Sequence, residues 1–156
     1  MKHHIECYDL SKVSIDKIEF VKKAIWTESN KNIKFFYPNN RSHVSLSITN
    51  FSNNYDQNSD HIYVETISYS DIIKKFNILE LPLIKLDIEG SECNVLNNLL
   101  ESPVLPKQIL VEFDELYTYE INQIKKYNKL HKKLNDTGYK SIVTNSFSNQ
   151  LYIKND

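Results

Sequence analysis

The chain has 156 residues, of which 40% are apolar and 12% aromatic, enough to fill the core of one domain. Nineteen basic side chains stand against twenty acidic ones, a net charge of -1, so there is no basic footprint for nucleic acid or for an anionic membrane surface. No run approaches the roughly 20 apolar residues of a membrane span, and Met1 to Glu6 has no apolar leader core, so a cytoplasmic protein is expected.

In chain order, Ile5 to Asp9 reads as a short strand closing on an acid, followed by the turn-like Leu10-Ser11-Lys12. Glu19 to Trp26 has the β-branched and aromatic content of a strand rather than a helix. Ile33 to Tyr37 predicts a strand stopped by Pro38-Asn39-Asn40, and the alternation Val44-Ser45-Leu46-Ser47-Ile48 predicts a half-buried partner for it in a hairpin. Asn50 to Asp60 is a polar loop. Ile62 to Ile67 predicts a further strand, after which Ser68 or Ser70 caps a short helix with Ile72, Ile73 and Phe76 as its apolar stripe.

Pro82 opens the stretch that concentrates the chemistry, Leu83-Ile84-Lys85-Leu86-Asp87-Ile88-Glu89-Gly90-Ser91-Glu92. Its apolar residues predict a buried parallel strand, and charges at Lys85, Asp87 and Glu89, every second residue, fall on one edge of it. Cys93, Leu96, Leu99 and Leu100 follow at helical spacing, so the unit reads strand, tight turn, helix, with acids at the carboxyl end of the strand, where ligands sit in open α/β sheets. Pro103 and Pro106 bound a loop, and Gln108 to Phe113 repeats the pattern, an apolar strand running into Glu112, Asp114 and Glu115. Ile121, Ile124, Tyr127 and Leu134 mark one face of a helix ending at Thr137-Gly138. Its other face carries Lys125, Lys126, Lys129, Lys132 and Lys133, which read as a solvated surface. Ser141 to Thr144 and Gln150 to Ile153 close the chain as an antiparallel hairpin.

These elements predict an α/β fold with a mostly parallel sheet and an antiparallel C-terminal hairpin. Crossovers of one hand would bring the two acid-ended strands to the same rim and define one crevice. Only Gly90 and Gly138 are glycine, so no GxGxxG or GxxxxGK phosphate loop exists in the chain. Cys7 and Cys93 lie far apart with no Cys/His pair at ligand spacing, so neither a disulfide framework nor a zinc site is predicted, and no residue is assigned as a metal ligand.

The string Lys85-x-Asp87-x-Glu89-Gly90-x-Glu92 between a strand and a helix, with Val95-Leu96 and later Ile109-Leu110-Val111-Glu112, resembles the signature of the FkbM-type methyltransferase family. Phe20 to Trp26 is similar to that family's third-strand segment, Tyr8-Asp9-Leu10-Ser11 to the end of its second strand, and Val64 to Ile73 to its helix entry. The resemblance covers the chain from about Tyr8 onward. It implies a Rossmann-like domain over residues 1–156 that transfers a methyl group from S-adenosylmethionine to a hydroxyl of a small molecule or sugar. By the same resemblance Asp9 would bind the cofactor's ribose and Ala24 would lie near its adenine. Asp87 and Glu89 would face the methyl acceptor, with Asp87 as the base and His43 as an outside candidate. The chain departs from the family in lacking the first strand and its glycine-rich turn, and the interval from Asp9 to Phe20 is short for a crossover helix. Two readings stay open: an active enzyme in which an N-terminal segment of the same protein completes the domain, or a non-catalytic remnant or binding module with a methyltransferase-like fold.

Each of these residues also has a structural explanation. Asp87 and Glu89 can be acids satisfied by Lys85 and helix amides, Glu92 a first-turn acid favoured by the helix dipole, Asp9 an ordinary strand-end acid, and Glu112 half of an edge ion pair. Cys93 falls on an apolar stripe and reads as core. His3, His4, His61 and His131 sit in no ligand or nucleophile pattern.

Overall fold

A computed structural model describes residues 18–40, 45–50, 53–56, 58–117, 120–143 and 146–155. The strand expected over Ile5 to Asp9, with Asp9 itself, and the candidate His43 lie outside the described residues. Seven strands and three helices follow one another in a mixed α/β arrangement within the described residues: β1 (Ala24–Trp26), β2 (Asn32–Phe36), β3 (His61–Ser68), α1 (Tyr69–Lys75), β4 (Leu83–Leu86), α2 (Glu92–Leu99), β5 (Gln108–Glu112), α3 (Ile121–Asp136), β6 (Tyr139–Val143) and β7 (Asn149–Lys154). A single 3-10 turn, Asp114–Leu116, follows β5.

The strands form two sheets, ordered β1-β3-β2 and β4-β5-β7-β6. The expectation was a mostly parallel sheet with an antiparallel C-terminal hairpin; the hairpin of β6 and β7 is antiparallel as expected, β1 with β3 and β4 with β5 are parallel, and β2 with β3 and β5 with β7 are antiparallel. The physical reason is local. The chain reverses between β1 and β2 through Asn30, which takes the left-handed conformation (φ 58°) that asparagine tolerates, so that β2 runs antiparallel to β3 while β1 runs parallel to it, and β7 lies antiparallel against β5. Between the sheets runs a groove of about 310 Å³, lined by apolar side chains that include Ile25, Tyr69, Ile73, Ile84 and Ile88.

Thr66 is fully buried in β3 and tolerated there because its hydroxyl donates to Glu28 O (2.6 Å) and accepts from Lys31 N (3.1 Å). Ser68 is the N-cap of α1, its Oγ accepting from Asp71 N at 3.2 Å. The Glu19 to Trp26 segment is shorter as a strand than its composition predicts, and pairing begins only at Ala24. Of the partner strand expected over Val44 to Ile48, Val44 lies outside the described residues, and residues 45–48 show one antiparallel bridge, Phe36 with Ser47, while the hydroxyls of Ser47 and Thr49 donate to the carbonyl of Glu89.

The second sheet holds the core. Cys93, Val95, Leu96 and Leu99 of α2 are completely buried, as the helical spacing predicts, and meet Ile109, Val111 and Phe113 of the β5 segment and Leu130 and Leu134 of α3. Each buried Leu contributes about 1.5–3 kcal/mol by leaving water. The apolar face of α3 runs through Tyr127, Leu130 and Leu134, whereas Ile121, the first residue of the helix, is 63% exposed. On the opposite face Lys125, Lys129 and Lys132 are solvated. A buried polar chain crosses this core: Gln150 Nε2 donates to Tyr127 Oη (2.6 Å), Tyr152 Oη donates to Gln150 Oε1 (2.7 Å), and His131 Nδ1 lies 2.9 Å from Tyr152 Oη. His131 is therefore structural, and burial pushes the Tyr152 phenol up. Among the described residues no helix is long and apolar enough to cross a membrane.

Candidate functional site

The parallel register Leu86 with Val111 brings the carboxyl ends of β4 and β5 side by side. Strand pairing stops at Leu86, so Asp87 and Glu89 do not alternate along a strand edge as their spacing predicts; they belong to the turn that joins β4 to α2. In that turn Glu89 and Gly90 both take left-handed backbone conformations, with φ of 58° and 94°. For a non-glycine residue such as Glu89 this costs about 1–2 kcal/mol, so the surroundings must hold it.

The holding group is Glu92. Its Oε1 accepts from the amides of Ile88 (2.9 Å) and Gly90 (3.2 Å), and its Oε2 accepts from Gly90 at 3.1 Å. From the other side Ser47 and Thr49 donate their hydroxyls to Glu89 O, and Ser91 Oγ donates to Ile88 O at 3.2 Å. Glu92 is completely buried, which is more than a first-turn acid answering the helix dipole needs. Burial first, then a side-chain hydrogen bond to Glu115 and its charge, push the Glu92 carboxyl up to about 9. Glu115 is itself buried; its Oε1 accepts from Cys93 N at 2.9 Å and lies 3.7 Å from Lys126 Nζ. Lys126 thus departs from the expected solvated lysine face of α3 by reaching a buried acid, and Lys133 departs from it by donating to Asn97 O.

Asp87, Glu89 and Asp114 converge in front of this turn, with one carboxylate oxygen of each within 4.8 Å of the others. Asp87 is on the outer side and ion-paired with Lys85 at 2.8 Å, as the structural explanation anticipated. Asp114 is only 8% exposed, set by the 3-10 turn that follows the buried Phe113. Burial, followed by the charges of Glu89, Glu112, Asp87 and Glu115, pushes its carboxyl up to about 7. Glu112 lies just outside the cluster, its Oε1 accepting from Tyr117 Oη at 2.9 Å.

Of the residues predicted from sequence, the structure brings Asp87 and Glu89 together. Ala24 lies in the other sheet, opening β1 opposite Thr66, and is not among the residues of the acidic cluster. His61 is a packing residue between Phe36 and Tyr63, with Nδ1 3.0 Å from Ser59 O. The residue that sequence reasoning passed over is Asp114. The signal was present in the acids that follow the second apolar strand, but which of the three turns toward Asp87 depends on the 3-10 turn.

Chemically, three convergent carboxyl groups at the mouth of two parallel strands can accept a proton from a hydroxyl, orient it, or bind a cation. A cofactor is less well provided for. Among the described residues the groove between the sheets is walled mainly by aliphatic side chains and Tyr69, and the acidic cluster supplies acceptors but no ring of amide donors for a charged tail.

The family model of the methyltransferase FkbM domain matches residues 11–141, a span that includes the Lys85 to Glu92 string, Asp114 and all three helices, and that begins after Asp9. Neither a curated protein nor a solved structure matches the chain. With the greater part of its length inside that one match, the chain belongs to the methyltransferase FkbM domain family.

Proposed function

We propose that this protein is an O-methyltransferase in which Asp87, Glu89 and Asp114 receive a hydroxyl group of a small-molecule or glycan acceptor, with S-adenosylmethionine as methyl donor. The observation that carries the reading is the meeting of these three carboxyl groups where β4 and β5 end together. In this reading residues 1–156 are one methyltransferase-like domain, and β4, β5, β7 and β6 are one flank of a Rossmann-like sheet.

S-adenosylmethionine would supply an electrophilic methyl group; what the chain must do is align an acceptor oxygen and take its proton. Asp87, exposed at the rim, is the group placed to meet an incoming hydroxyl. Glu89 stands beside it on a turn locked by Glu92, so the pair keeps its geometry without an acceptor bound. Binding of the donor involves Asp9 and Ala24 in this proposal, and an N-terminal segment of the protein completes the donor side.

Titration calorimetry with S-adenosylmethionine tests the reading, followed by transfer of a labelled methyl group to a panel of hydroxylated small molecules and sugars. Asp87→Asn should lower transfer by about 10²–10⁴-fold while leaving cofactor heat unchanged. No heat with S-adenosylmethionine, even with an N-terminal segment of the protein restored, would sink the proposal. A second reading, a non-catalytic module of the same fold, is favoured by one observation: among the described strands β4 is paired on one side only, with β5, and the two sheets share no pairing. Methyl transfer by the 156-residue chain would overturn it.

A further inference from the structure

We propose that Asp87, Glu89 and Asp114 bind one hard divalent cation, of the Mg²⁺, Mn²⁺ or Ca²⁺ class, at the rim where β4 and β5 end. Three carboxylate oxygens lie there within 4.8 Å of one another. Oxygens on adjacent and opposite sides of a Ca²⁺ ion stand about 3.4 and 5 Å apart, and around Mg²⁺ about 3 and 4 Å. The observed spread therefore fits a single ion with at most a small contraction. No thiol or imidazole belongs to the group, and an all-oxygen donor set selects hard cations over zinc or copper.

Acids gather on many protein surfaces without binding anything, and Asp114 is what distinguishes this group. It is 8% exposed, its carboxyl is turned to the other two, and among the described residues no donor reaches it. Its chain neighbours are provided for: Glu112 accepts from Tyr117 Oη at 2.9 Å and Glu115 from Cys93 N at 2.9 Å. A carboxyl largely removed from water and lacking a donor favours a proton or a cation as its partner. The one described ammonium ion-paired with the cluster, Lys85, sits on Asp87 at the exposed side and leaves the space between Glu89 and Asp114 to an ion. Glu89 is also fixed in advance, because Ser47, Thr49 and Glu92 hold its turn.

Three protein oxygens leave further coordination positions for water or for the oxygen of an acceptor, which the ion would orient and acidify. That role rests on the methyl-transfer reading; binding of the ion does not.

The test is a titration of the full chain with Mn²⁺ alone, following loss of the free-ion electron paramagnetic resonance signal. One Mn²⁺ per chain is expected, displaced by Mg²⁺ or Ca²⁺. Asp114→Asn and Asp87→Asn should each weaken it about tenfold or more. Glu80→Gln, which removes an acid paired with Lys107 away from the site, should leave it unchanged. Circular dichroism establishes that each variant is folded, and the exposed Asp87 provides a variant that leaves the core untouched. No loss of signal at about 1 mM Mn²⁺, or binding that Asp114→Asn and Asp87→Asn leave unchanged, would overturn the proposal. Calorimetry with S-adenosylmethionine in excess chelator reads the methyl-transfer proposal separately, so either can fail alone.

Discussion

Replacing Glu92 by Gln should make the protein more stable at neutral and mildly alkaline pH and equally stable near pH 5. The folded chain holds the Glu92 proton up to about pH 9, against an ordinary value of 4.5. Between those values the unfolded chain binds fewer protons than the folded one, so the contribution falls as pH rises, by about 1.4 kcal/mol per unit. At pH 7.5, three units above the ordinary value, this amounts to a ceiling of about 4 kcal/mol relative to pH 4.5. Sharing with Glu115 brings the expected gain for Glu92→Gln to about 1–3 kcal/mol. The Gln carbonyl can still accept from Ile88 and Gly90, and its amide can donate toward Glu115, so the turn keeps its partners. Urea unfolding followed through Trp26 fluorescence, at half-unit intervals from pH 5 to 8.5, would measure both proteins. Curves that run parallel, with Glu92→Gln the less stable at every pH, would refute the reasoning, since they would mean that an ionised carboxylate holds the turn.

Other substitutions follow from the same geometry. Gly90→Ala, at φ 94°, should cost about 1–2 kcal/mol in urea unfolding, because a side chain is strained there and Glu89 already occupies the left-handed region. Ser47→Ala combined with Thr49→Val removes both hydroxyl donors to Glu89 O; it should lower stability by about 1–2 kcal/mol and speed hydrogen exchange at the Gly90 amide, read by NMR. Tyr152→Phe takes away the proton donated to Gln150 Oε1 in a closed core and should cost about 1–3 kcal/mol. Leu96→Ala, in a completely buried position of α2, should cost about 2–5 kcal/mol and lower the melting temperature accordingly.

Much of the architecture was legible because it is written in local pattern. The helical spacing of Cys93, Leu96, Leu99 and Leu100 marks the stripe of α2 without reference to its neighbours; the first three are fully buried, whereas Leu100 is the C-cap and only partly buried. Ser68 caps α1 because a serine at a strand end can answer an orphan amide within three residues. The closing hairpin follows from two short apolar runs with a polar interval, and its strands pair antiparallel. Pattern failed where a partner distant in sequence decides the outcome. Val44 to Ile48 alternates like a strand, yet Ser47 and Thr49 spend their hydroxyls on a turn some forty residues away, and among the described residues of that run only one bridge, Ser47 with Phe36, forms. Ile121 has the spacing of a core residue but stands exposed at the first residue of α3.

By itself the sequence determined the unit of strand, turn and helix around Leu83 to Glu92, the placing of acids at its carboxyl end, and the family, because each of these is carried by residues adjacent in the chain. Only the tertiary structure decided which acids do what. Asp114 joins Asp87 and Glu89 because β4 and β5 pair in parallel register and a 3-10 turn swings it back. Glu92 leaves the surface and becomes the brace of the turn because Glu115 and the amides of Ile88 and Gly90 surround it. A carboxyl group's role depends on its solvation and its neighbours' charges, and both are set by segments that fold against it rather than by the residues on either side of it.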